Sequence, residues 1–302
     1  MNAQAVAMSG DKPTVISTFA GTGGSSLGYH WAGFKELLAI EWEDHAVECF
    51  KLNFPDIPVW QRDITTVKAQ EILDFCQIKS GELDVFDGSP PCQGFSTAGK
   101  REVRDPRNRL FESYVQLVHD LQPKVFVMEN VSGMAKGSMK GKFIEIIKTL
   151  KSLNYEVKAK QMNAMYYGVP QSRERIIFIG VRKDLKKGIT FPAPRKTITS
   201  VQQAIGRTGY IEYRHSYSEG KFSLAKSSFS KPCLTIKKTI TGWTVYPRQF
   251  NLEELCILCS FPIDWKFNGS FEEAWARLGN AVMPKFMQAI AETIKTKILE
   301  VQ

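Results

Sequence analysis

The sequence predicts an α/β protein with a mainly parallel sheet, helices on both faces of that sheet, and a small, mostly β or irregular domain. Over residues 13–180, short apolar runs that end in Gly, Asp, Glu or Asn alternate with helical stretches, which is typical of such sheets. After Arg182 the sequence becomes rich in Lys, Ser, Thr, Gly and Pro and has no strong helical period. An amphipathic pattern returns near the C-terminus, so we expect the last helix to pack back onto the large sheet.

The elements follow in order along the chain. The predicted strands of the large sheet are TVISTFA, KELLAIEW, LDVFDG, KVFVMEN and RIIFIGVR, and the helices between them include FESYVQLVHDLQ and GKFIEIIKTLKSLN. The small domain contains the β-type runs CLTIKK and GWTVYP, and the C-terminal helices are NLEELCILCSF and PKFMQAIAETIKTKIL. We therefore expect a loose tail over 1–12, a large domain over 13–183, a small domain over 184–265 and a returning segment over 266–302.

Composition narrows the class of protein. Of the 302 residues, 43% are hydrophobic and 24% are charged, as in ordinary globular proteins. No apolar run approaches the roughly 20 residues of a membrane helix, and the start lacks a signal-peptide pattern, so we expect no membrane partner. The six cysteines are irregularly spaced, which indicates a reducing compartment such as the cytoplasm. Cys256 and Cys259 form a C-x-x-C without a second pair, so we assign them to core packing and predict no metal site.

Positive charge is concentrated in one segment. Residues 183–248 contain 13 Lys or Arg and 3 Asp or Glu, a local balance of +10, whereas the net charge of the whole chain is +9. Such a segment is typical of a site where a polyanion docks. A solvated basic face without a partner is the alternative.

A glycine-rich turn follows the first predicted strand, in VISTFAGTGGSSLG. Gly21 and Gly23 match the start of the dinucleotide-binding pattern G-x-G-x-x-G, but Ser26 replaces its third glycine. Glu41 lies 20 residues beyond Gly21, at the end of the next predicted strand, where a carboxylate can bind ribose hydroxyls. Trp42 follows and offers a flat face for a purine. The pattern indicates a nucleoside-containing cofactor without identifying it, and a tight structural turn is the alternative.

Cys92 stands in DVFDGSPPCQGFS, directly after two prolines. The prolines fix the backbone and remove two amide donors, which a buried structural cysteine does not require. Glu129 ends the predicted strand KVFV and is either a neighbour of a helix N-cap or a general acid. In QSRER, Arg173 and Arg175 alternate and so share one face of an extended strand. They are either solvated edge charges or a clamp on a carbonyl or phosphate group.

Seven motifs follow one another from about Thr14 to the final helix: FAGTGG, EW, Asp63 with Ile64, PPCQGFS, ENV, QSRER and GNAVMP. In the order of these motifs, the chain resembles the C5-cytosine DNA methyltransferases of bacterial restriction-modification systems. The resemblance implies a Rossmann-like S-adenosylmethionine-dependent methyltransferase sheet and a small target-recognition domain. It also implies methylation of C5 of a flipped-out cytosine in a short double-stranded DNA site, through a covalent bond between Cys92 and C6.

The resemblance further implies roles for individual residues. Glu129 would bond N3 of the cytosine, Arg175 would meet O2, and Arg173 would lie near a phosphate or the loop of Cys92. Support of the site would come from Asn130 and Gln93. The residues that would bind the cofactor are Phe19, Gly21, Thr22, Gly23, Gly24, Glu41, Trp42, Asp63, Ile64, Pro91, Asn280 and Val282. The residues that would contact DNA are Ser96, Lys100, Arg101, Arg104, Lys237 and Lys238.

Other readings stay open at this point. An RNA-methylating member of the family would typically carry Cys-Phe-Thr in its recognition segment, which is absent here. A NAD-dependent oxidoreductase is disfavoured by Ser26 at the third glycine position, and a catalytically dead nucleic-acid-binding relative is disfavoured by Cys92, Glu129 and Arg175. We expect a monomer, and the family context allows a cognate restriction endonuclease that acts on the same site without a stable complex.

One segment departs from the family pattern. The family commonly has Arg-x-Leu-Thr-x-x-Glu before a Phe-Pro, whereas RQFNLEELCILCSFP keeps Arg248 and Glu254 but has Phe250 and Asn251 in place of Leu-Thr. This departure concerns the hinge of the small domain and leaves the fold assignment intact. Only some forty residues are available for target recognition, which favours a short recognition site.

Overall fold

The main sheet has seven strands in the computed structural model, which describes residues 12–91, 106–135, 140–218, 221–240 and 242–300. The strands are β1 (Thr14–Thr18), β2 (Lys35–Glu41), β3 (Val59–Gln61), β4 (Val85–Gly88), β5 (Val125–Val131), β6 (Tyr155–Asn163) and β7 (Glu174–Arg182). Their order in the sheet is β3-β2-β1-β4-β5-β7-β6. Strands β1 to β5 pair in parallel, whereas β7 runs antiparallel to both β5 and β6. The predicted α/β class and its five predicted strands are confirmed.

Helices cover both faces of this sheet. The helices of the described residues are α1 (Gly24–Trp31), α2 (Asp44–Asn53), α3 (Ala69–Cys76), α4 (Pro106–Leu121), α5 (Lys140–Ser152), α6 (Val201–Ile205), α7 (Leu252–Leu258), α8 (Phe271–Asn280) and α9 (Pro284–Ile294). Neighbouring residues of β1 show how the sheet divides the core. Val15 belongs to a hydrophobic cluster with residues of α1 and α9, and Ile16 belongs to a second cluster with residues of α3 and α4.

A smaller antiparallel sheet contains β8 (Tyr210–Ser218), β9 (Lys221–Ser228) and β10 (Trp243–Tyr246), in the order β10-β8-β9. The run GWTVYP forms β10 as predicted, but the predicted strand CLTIKK is wrong. Cys233 in that run forms a single bridge with Gln171 of the main domain. Its N–H donates to the oxygen of Pro170 (2.8 Å), and its own oxygen accepts from the N–H of Ser172 (2.7 Å). The backbone of this run therefore joins two parts of the chain and does not extend the small sheet.

Helix α9, in the C-terminal segment, packs against α1. The two helices approach closely because Gly28 has no side chain. A Cβ there would lie 2.6 Å from Cβ of Met287 and 2.7 Å from the oxygen of Pro284. Ile290 and Ile294 of α9 are fully buried in the same cluster as Val15, so the C-terminal segment is part of the core.

Candidate active site

A cavity of about 620 Å³ lies where four neighbouring strands of the main sheet end. Its wall contains residues 19–22 after β1, residues 41–42 at the end of β2, residues 89–91 after β4 and residues 129–131 at the end of β5. These segments are adjacent because the carboxyl ends of parallel strands meet at one edge of a sheet. Residues 280–282, at the end of α8, line the cavity from the C-terminal side. Its volume is in the usual range for a small-molecule site.

The carboxylate of Glu41 joins the turn after β1 to the end of β2. Its Oε2 accepts a hydrogen bond from the N–H of Gly21 (2.8 Å), and its Oε1 accepts from the N–H groups of Trp42 (2.8 Å) and Glu43 (3.0 Å). Burial raises the pKa of Glu41, and the three N–H donors oppose this increase. A carboxylate has about four lone-pair sites, so one remains for a ligand hydroxyl.

Two aromatic residues border the cavity in uncommon states. Trp42 is 68% exposed, so its flat face is open to a ligand. Phe19 has a φ of 54°, which is uncommon for a residue other than glycine, and such strain is frequent at functional sites. Trp42 is therefore accessible to a ligand, whereas Phe19 both borders the cavity and packs against the core cluster that contains Ile16.

Four of the predicted cofactor residues do not line this cavity. A Cβ on Gly24 would collide with the oxygen of Val282, so this glycine admits the C-terminal segment. Gly23 likewise faces the ring of Phe54. Asp63 and Ile64 lie elsewhere: the carboxylate of Asp63 accepts from the N–H of Thr65 (2.9 Å), and Ile64 is buried in the core cluster that contains Ile16. The remaining predicted cofactor residues all line the cavity: Phe19, Gly21, Thr22, Glu41, Trp42, Pro91, Asn280 and Val282.

Sequence reasoning missed three residues on one face of α8. Glu273, Ala276 and Arg277 line the cavity beside the predicted Asn280, and their spacing of three or four residues from it or from one another places them on one side of a helix. That spacing before GNAV was the available signal. Oε1 of Glu273 also lies 3.4 Å from Nε2 of His45 in α2.

Arg173 lines the cavity together with residues 89–91, and its expected place near a phosphate or the Cys92 loop stays a prediction because that loop lies outside the described residues. Its side chain is 3% exposed, and its guanidinium donates to the backbone oxygens of Ile236 (2.9 Å), Gly279 (2.8 Å) and Ala281 (3.0 Å). Burial lowers the pKa of Arg173, and the neighbouring charge of Arg175 lowers it further. Arg173 thus joins residue 236 to residues 279–281 at the cavity wall.

Glu129 and Arg175 form an ion pair in the cavity. Nε of Arg175 lies 2.5 Å from Oε1 of Glu129, and both side chains are largely buried. Next to Glu129, Nδ2 of Asn130 donates a hydrogen bond to the oxygen of Pro90 (2.9 Å). This bond ties the end of β5 to the segment that leads into Cys92. Six predicted site residues lie outside the described residues: Cys92, Gln93, Ser96, Lys100, Arg101 and Arg104.

The two predicted DNA-contacting lysines lie beside the cavity. Lys237 and Lys238 are exposed, and Lys238 is part of the cavity wall. Their backbone is fixed: the oxygen of Lys237 accepts a hydrogen bond from Nε1 of Trp275 (2.9 Å), and a Cβ on Gly279 would collide with that oxygen. The lysine side chains therefore extend from a rigid segment.

Two buried acidic side chains accept hydrogen bonds from residues of α1. Burial raises the pKa of Asp87, at the end of β4, to about 8, and that of Glu36, in β2, to about 7. The hydroxyl of Tyr29 donates to Oδ1 of Asp87 (3.3 Å), and the hydroxyl of Ser26 donates to Oε1 of Glu36 (2.9 Å).

The segment that departs from the family pattern is held by hydrogen bonds and an ion pair between its own residues. Asn251 caps α7, since its side chain accepts from the N–H of Glu254 (2.8 Å) and its own N–H donates to the carboxylate of Glu254 (3.0 Å). Arg248 pairs with the same carboxylate through two contacts of 3.0 Å. Cys256 and Cys259 are buried in the core, and burial raises the pKa of each thiol to about 12.

Within the part of the chain that the structure describes, no group of three or more His, Cys, Asp or Glu residues is arranged to hold a metal ion. No described helix combines the length and the apolar character needed to cross a bilayer.

Comparison with known proteins identifies the family. The family model of the C-5 cytosine-specific DNA methylases matches residues 13–247 and 195–296. The chain is 36% identical to the Type II methyltransferase M1.HphI of Haemophilus parahaemolyticus, over 93% of this chain and 86% of that protein. It is 32% identical to the Type II methyltransferase M.DdeI of Desulfomicrobium norvegicum, over 93% and 88%. A prophage-encoded protein of E. coli has the same fold, with a TM-score of 0.77, 23% identity and coverage of 96% and 100%.

Proposed function

Since this chain belongs to the C-5 cytosine-specific DNA methylase family and is a DNA (cytosine-5-)-methyltransferase, we propose that it acts on a flipped-out cytosine in a short, specific double-stranded DNA site. The methyl group would come from S-adenosylmethionine and the nucleophile would be Cys92. The observation that carries this proposal is the Glu129–Arg175 pair, which shares a cavity with residues 89–91, the lead-in to Cys92.

The residues of the cavity fit S-adenosylmethionine. Glu41 would bind the ribose with its remaining lone pair, and Trp42 would stack on the adenine. A Cβ on Gly21 would have no neighbour closer than 4.0 Å, so the backbone there is open to a ligand. When bound, S-adenosylmethionine supplies an electrophilic methyl group. The other residues that would hold it are Phe19, Thr22, Pro91, Asn280 and Val282.

Cys92 would supply the reactivity that cytosine lacks, because C5 of cytosine is too weak a nucleophile to take a methyl group. Addition of the Cys92 thiolate to C6 forms a C–S bond and places an electron pair on C5. After methylation of C5, loss of the C5 proton restores the ring double bond and breaks the C6–S bond, which releases the thiolate. The hydrogen bond from Asn130 to Pro90 supports this role, since it steadies the lead-in to the nucleophile.

Glu129 and Arg175 would bind the edge of the flipped base. Glu129, as an acid, would donate to N3 and offset the charge that develops there when the thiolate adds to C6. Arg175 would donate to O2. N3 and O2 are adjacent on the ring, and the contact of 2.5 Å between the two side chains supports a pair that reads adjacent atoms.

DNA would dock on the basic segment, residues 183–248, with Lys237 and Lys238 on phosphates beside the cavity. We keep the division into a catalytic domain over 13–183, a target-recognition domain over 184–265 and a returning segment over 266–302 as part of this proposal. The Type II relatives favour a restriction-modification setting, with a cognate endonuclease acting on the same site.

Bisulfite sequencing tests the function directly. The chain would be expressed in a host without DNA methylation, and genomic cytosines that resist conversion would be mapped. We expect protection of one cytosine within a recurrent short motif, and no protection when the same host expresses Cys92→Ser. Complete conversion in cells that contain folded wild-type protein would contradict the proposal.

A further inference from the structure

Asp87 is a buried side chain of β4 that lies five residues before Cys92 in the chain. The residue is 3% exposed, and it is not part of the cavity wall. Oδ1 of Asp87 accepts a hydrogen bond from the hydroxyl of Tyr29 in α1 (3.3 Å). Burial raises the pKa of Asp87 to about 8, and a hydrogen bond from Ser25, also in α1, opposes this increase. Because Ser25 and Tyr29 are four residues apart, they lie on one face of α1, and that face meets Asp87.

The start of α1 is held from both strands that flank β1. Asp87 lies in β4 on one side of β1, and Glu36 lies in β2 on the other side. Oε1 of Glu36 accepts a hydrogen bond from the hydroxyl of Ser26 (2.9 Å), which is next to Ser25. Two neighbouring residues of α1 therefore interact with acidic side chains of different strands. These interactions fix α1 above β1, and with it the turn of residues 19–22, which borders the cavity.

The segment from Asp87 to residue 91 has little freedom, and Cys92 follows it. The backbone oxygen of Asp87 accepts a hydrogen bond from the hydroxyl of Thr18 (3.0 Å). A Cβ on Gly88 would lie 2.4 Å from Oγ1 of Thr18, so the chain is closely packed there. The two prolines at 90–91 restrict the backbone further. A displacement of the Asp87 side chain would therefore be passed along this segment toward Cys92.

A carboxyl group in the place of Asp87 needs a reason beyond packing. Burial of a carboxyl group costs free energy, and an apolar residue suited to a strand would avoid that cost. Burial is the main cause of the raised pKa of Asp87, and the charges of Glu36 and Glu129 raise it further. A hydrogen bond, unlike an apolar contact, fixes direction as well as distance. The carboxyl group of Asp87 therefore suits a point at which the end of β4 must keep a definite place relative to α1.

We propose that Asp87 is a positioning residue, which sets the place of residues 89–91 relative to the cofactor-binding turn of residues 19–22. This inference rests on the proposed function, because residues 89–91 lead into the nucleophile and the turn would hold the methyl donor. Transfer of a methyl group requires donor and acceptor to be aligned, and a misplacement of about 1 Å is enough to slow such a step. Asp87 lies outside the cavity wall, so it acts through α1 and the end of β4.

Single-turnover methylation of duplex DNA that carries the mapped site tests the proposal. The rate constant is measured at saturating S-adenosylmethionine and DNA, and dissociation constants are measured for S-adenosylhomocysteine and for the same DNA. The variants are Asp87→Val, the conservative Asp87→Asn, Tyr29→Phe and the double variant of Asp87→Val with Tyr29→Phe. The matched control is Tyr155→Phe, which also removes a buried hydroxyl. That hydroxyl donates to the oxygen of Pro123 (2.6 Å), before the start of β5 and so at the opposite edge of the sheet.

The rate constant should fall while binding is kept. Asp87→Val should lower it by roughly tenfold or more, with both dissociation constants within about threefold of the wild type. Tyr29→Phe should lower it by roughly threefold or more, and it should cause no further loss in Asp87→Val, because the two residues act through one hydrogen bond. Asp87→Asn should keep most of the rate, since its amide oxygen still accepts from Tyr29. Tyr155→Phe should react as the wild type does.

Other results would overturn the proposal. They are a wild-type rate in folded Asp87→Val, equal losses in Asp87→Val and Asp87→Asn, or a loss that weaker binding of cofactor or DNA explains. If Asp87→Val failed to fold, as judged by thermal unfolding, Tyr29→Phe would decide: a slower reaction would support the proposal and a wild-type rate would overturn it. Absence of cytosine methylation by the wild type, or methylation by Cys92→Ser, would instead overturn the proposed function.

Discussion

Nε of Arg175 lies 2.5 Å from Oε1 of Glu129, although the two residues are 46 positions apart in the chain, and their side chains are only 14% and 12% exposed. The reversed direction of β7 makes this contact possible. Glu129 is near the carboxyl end of β5, and Arg175 is near the start of β7, which pairs with β5 in antiparallel fashion. In a parallel strand, Arg175 would lie at the opposite edge of the sheet. The antiparallel strand thus supplies a cation to a site otherwise built from the ends of parallel strands.

Glu129→Gln should preserve the fold and cofactor binding but lose most turnover. The glutamine amide fills the same space and can still contact Arg175, but it is not an acid that can transfer a proton to N3. We expect a loss of at least tenfold, which corresponds to about 1.4 kcal/mol of transition-state stabilisation. Single-turnover methylation with tritiated S-adenosylmethionine would measure it. Glu174→Gln, an exposed neighbour in the same strand, is the control. Near-normal turnover of Glu129→Gln would show that the acid is another group.

Neutralising Lys237 and Lys238 together should reduce the salt dependence of DNA binding. Each phosphate contact contributes a slope of roughly −0.9 in log K against log salt, so the double Gln variant should lose about one to two units of slope. Fluorescence anisotropy with duplex DNA at several salt concentrations measures the slope. The matched control replaces Lys158 and Lys160, which are exposed on β6. Equal slopes for the wild type and the Lys237/Lys238 variant would exclude these lysines from the interface.

Asp87→Asn should stabilise the protein more at pH 8 than at pH 5.5. Burial raises the pKa of Asp87 to about 8 from the ordinary value of 3.8, so between these values the unfolded chain binds fewer protons than the folded one. The free energy of unfolding that Asp87 contributes therefore falls as the pH rises from 3.8 to about 8. An amide does not ionise and can still accept from Tyr29, so the gain at pH 8 should be at least ~1 kcal/mol.

Urea unfolding at the two pH values would measure this effect, with the exposed Asp56→Asn as control. A pH profile of Asp87→Asn identical to that of the wild type would show that Asp87 is ionised in the folded protein across the window.

Sequence reasoning identified those cavity residues that are marked by a pattern within a short stretch of the chain. Apolar runs that end in Gly, Glu or Asn mark the carboxyl ends of strands, and those ends meet at one edge whatever the helices between them do. Glu41 and Trp42 could be assigned to the cavity for this reason. The strands β3 and β6 were missed because VWQ is short and YEVKAKQMN is largely polar, as suits strands at the two edges of the sheet.

Other features of the site depend on contacts that only the tertiary structure creates. Gly24 looks like part of a ligand-binding turn, but its missing side chain makes room for Val282, which is 258 residues away in the chain. Arg173 has the same spacing and charge as a phosphate clamp, but it folds inward because three backbone oxygens converge on it. No local pattern of charge or spacing distinguishes these outcomes.

Cys92 should form a stable covalent bond with DNA that carries 5-fluorocytosine at the target position. Release of the thiolate requires loss of a proton from C5, and fluorine cannot leave as a proton, so the adduct remains after methylation. We expect a protein–DNA complex that survives denaturation, forms only with S-adenosylmethionine and maps by mass spectrometry to the peptide containing Cys92. Cys92→Ser should lose the adduct yet still bind DNA, because a hydroxyl is a far weaker nucleophile, whereas the control Cys76→Ser should keep it. An adduct on another cysteine, or one that persists in Cys92→Ser, would contradict the mechanism while leaving the family assignment intact.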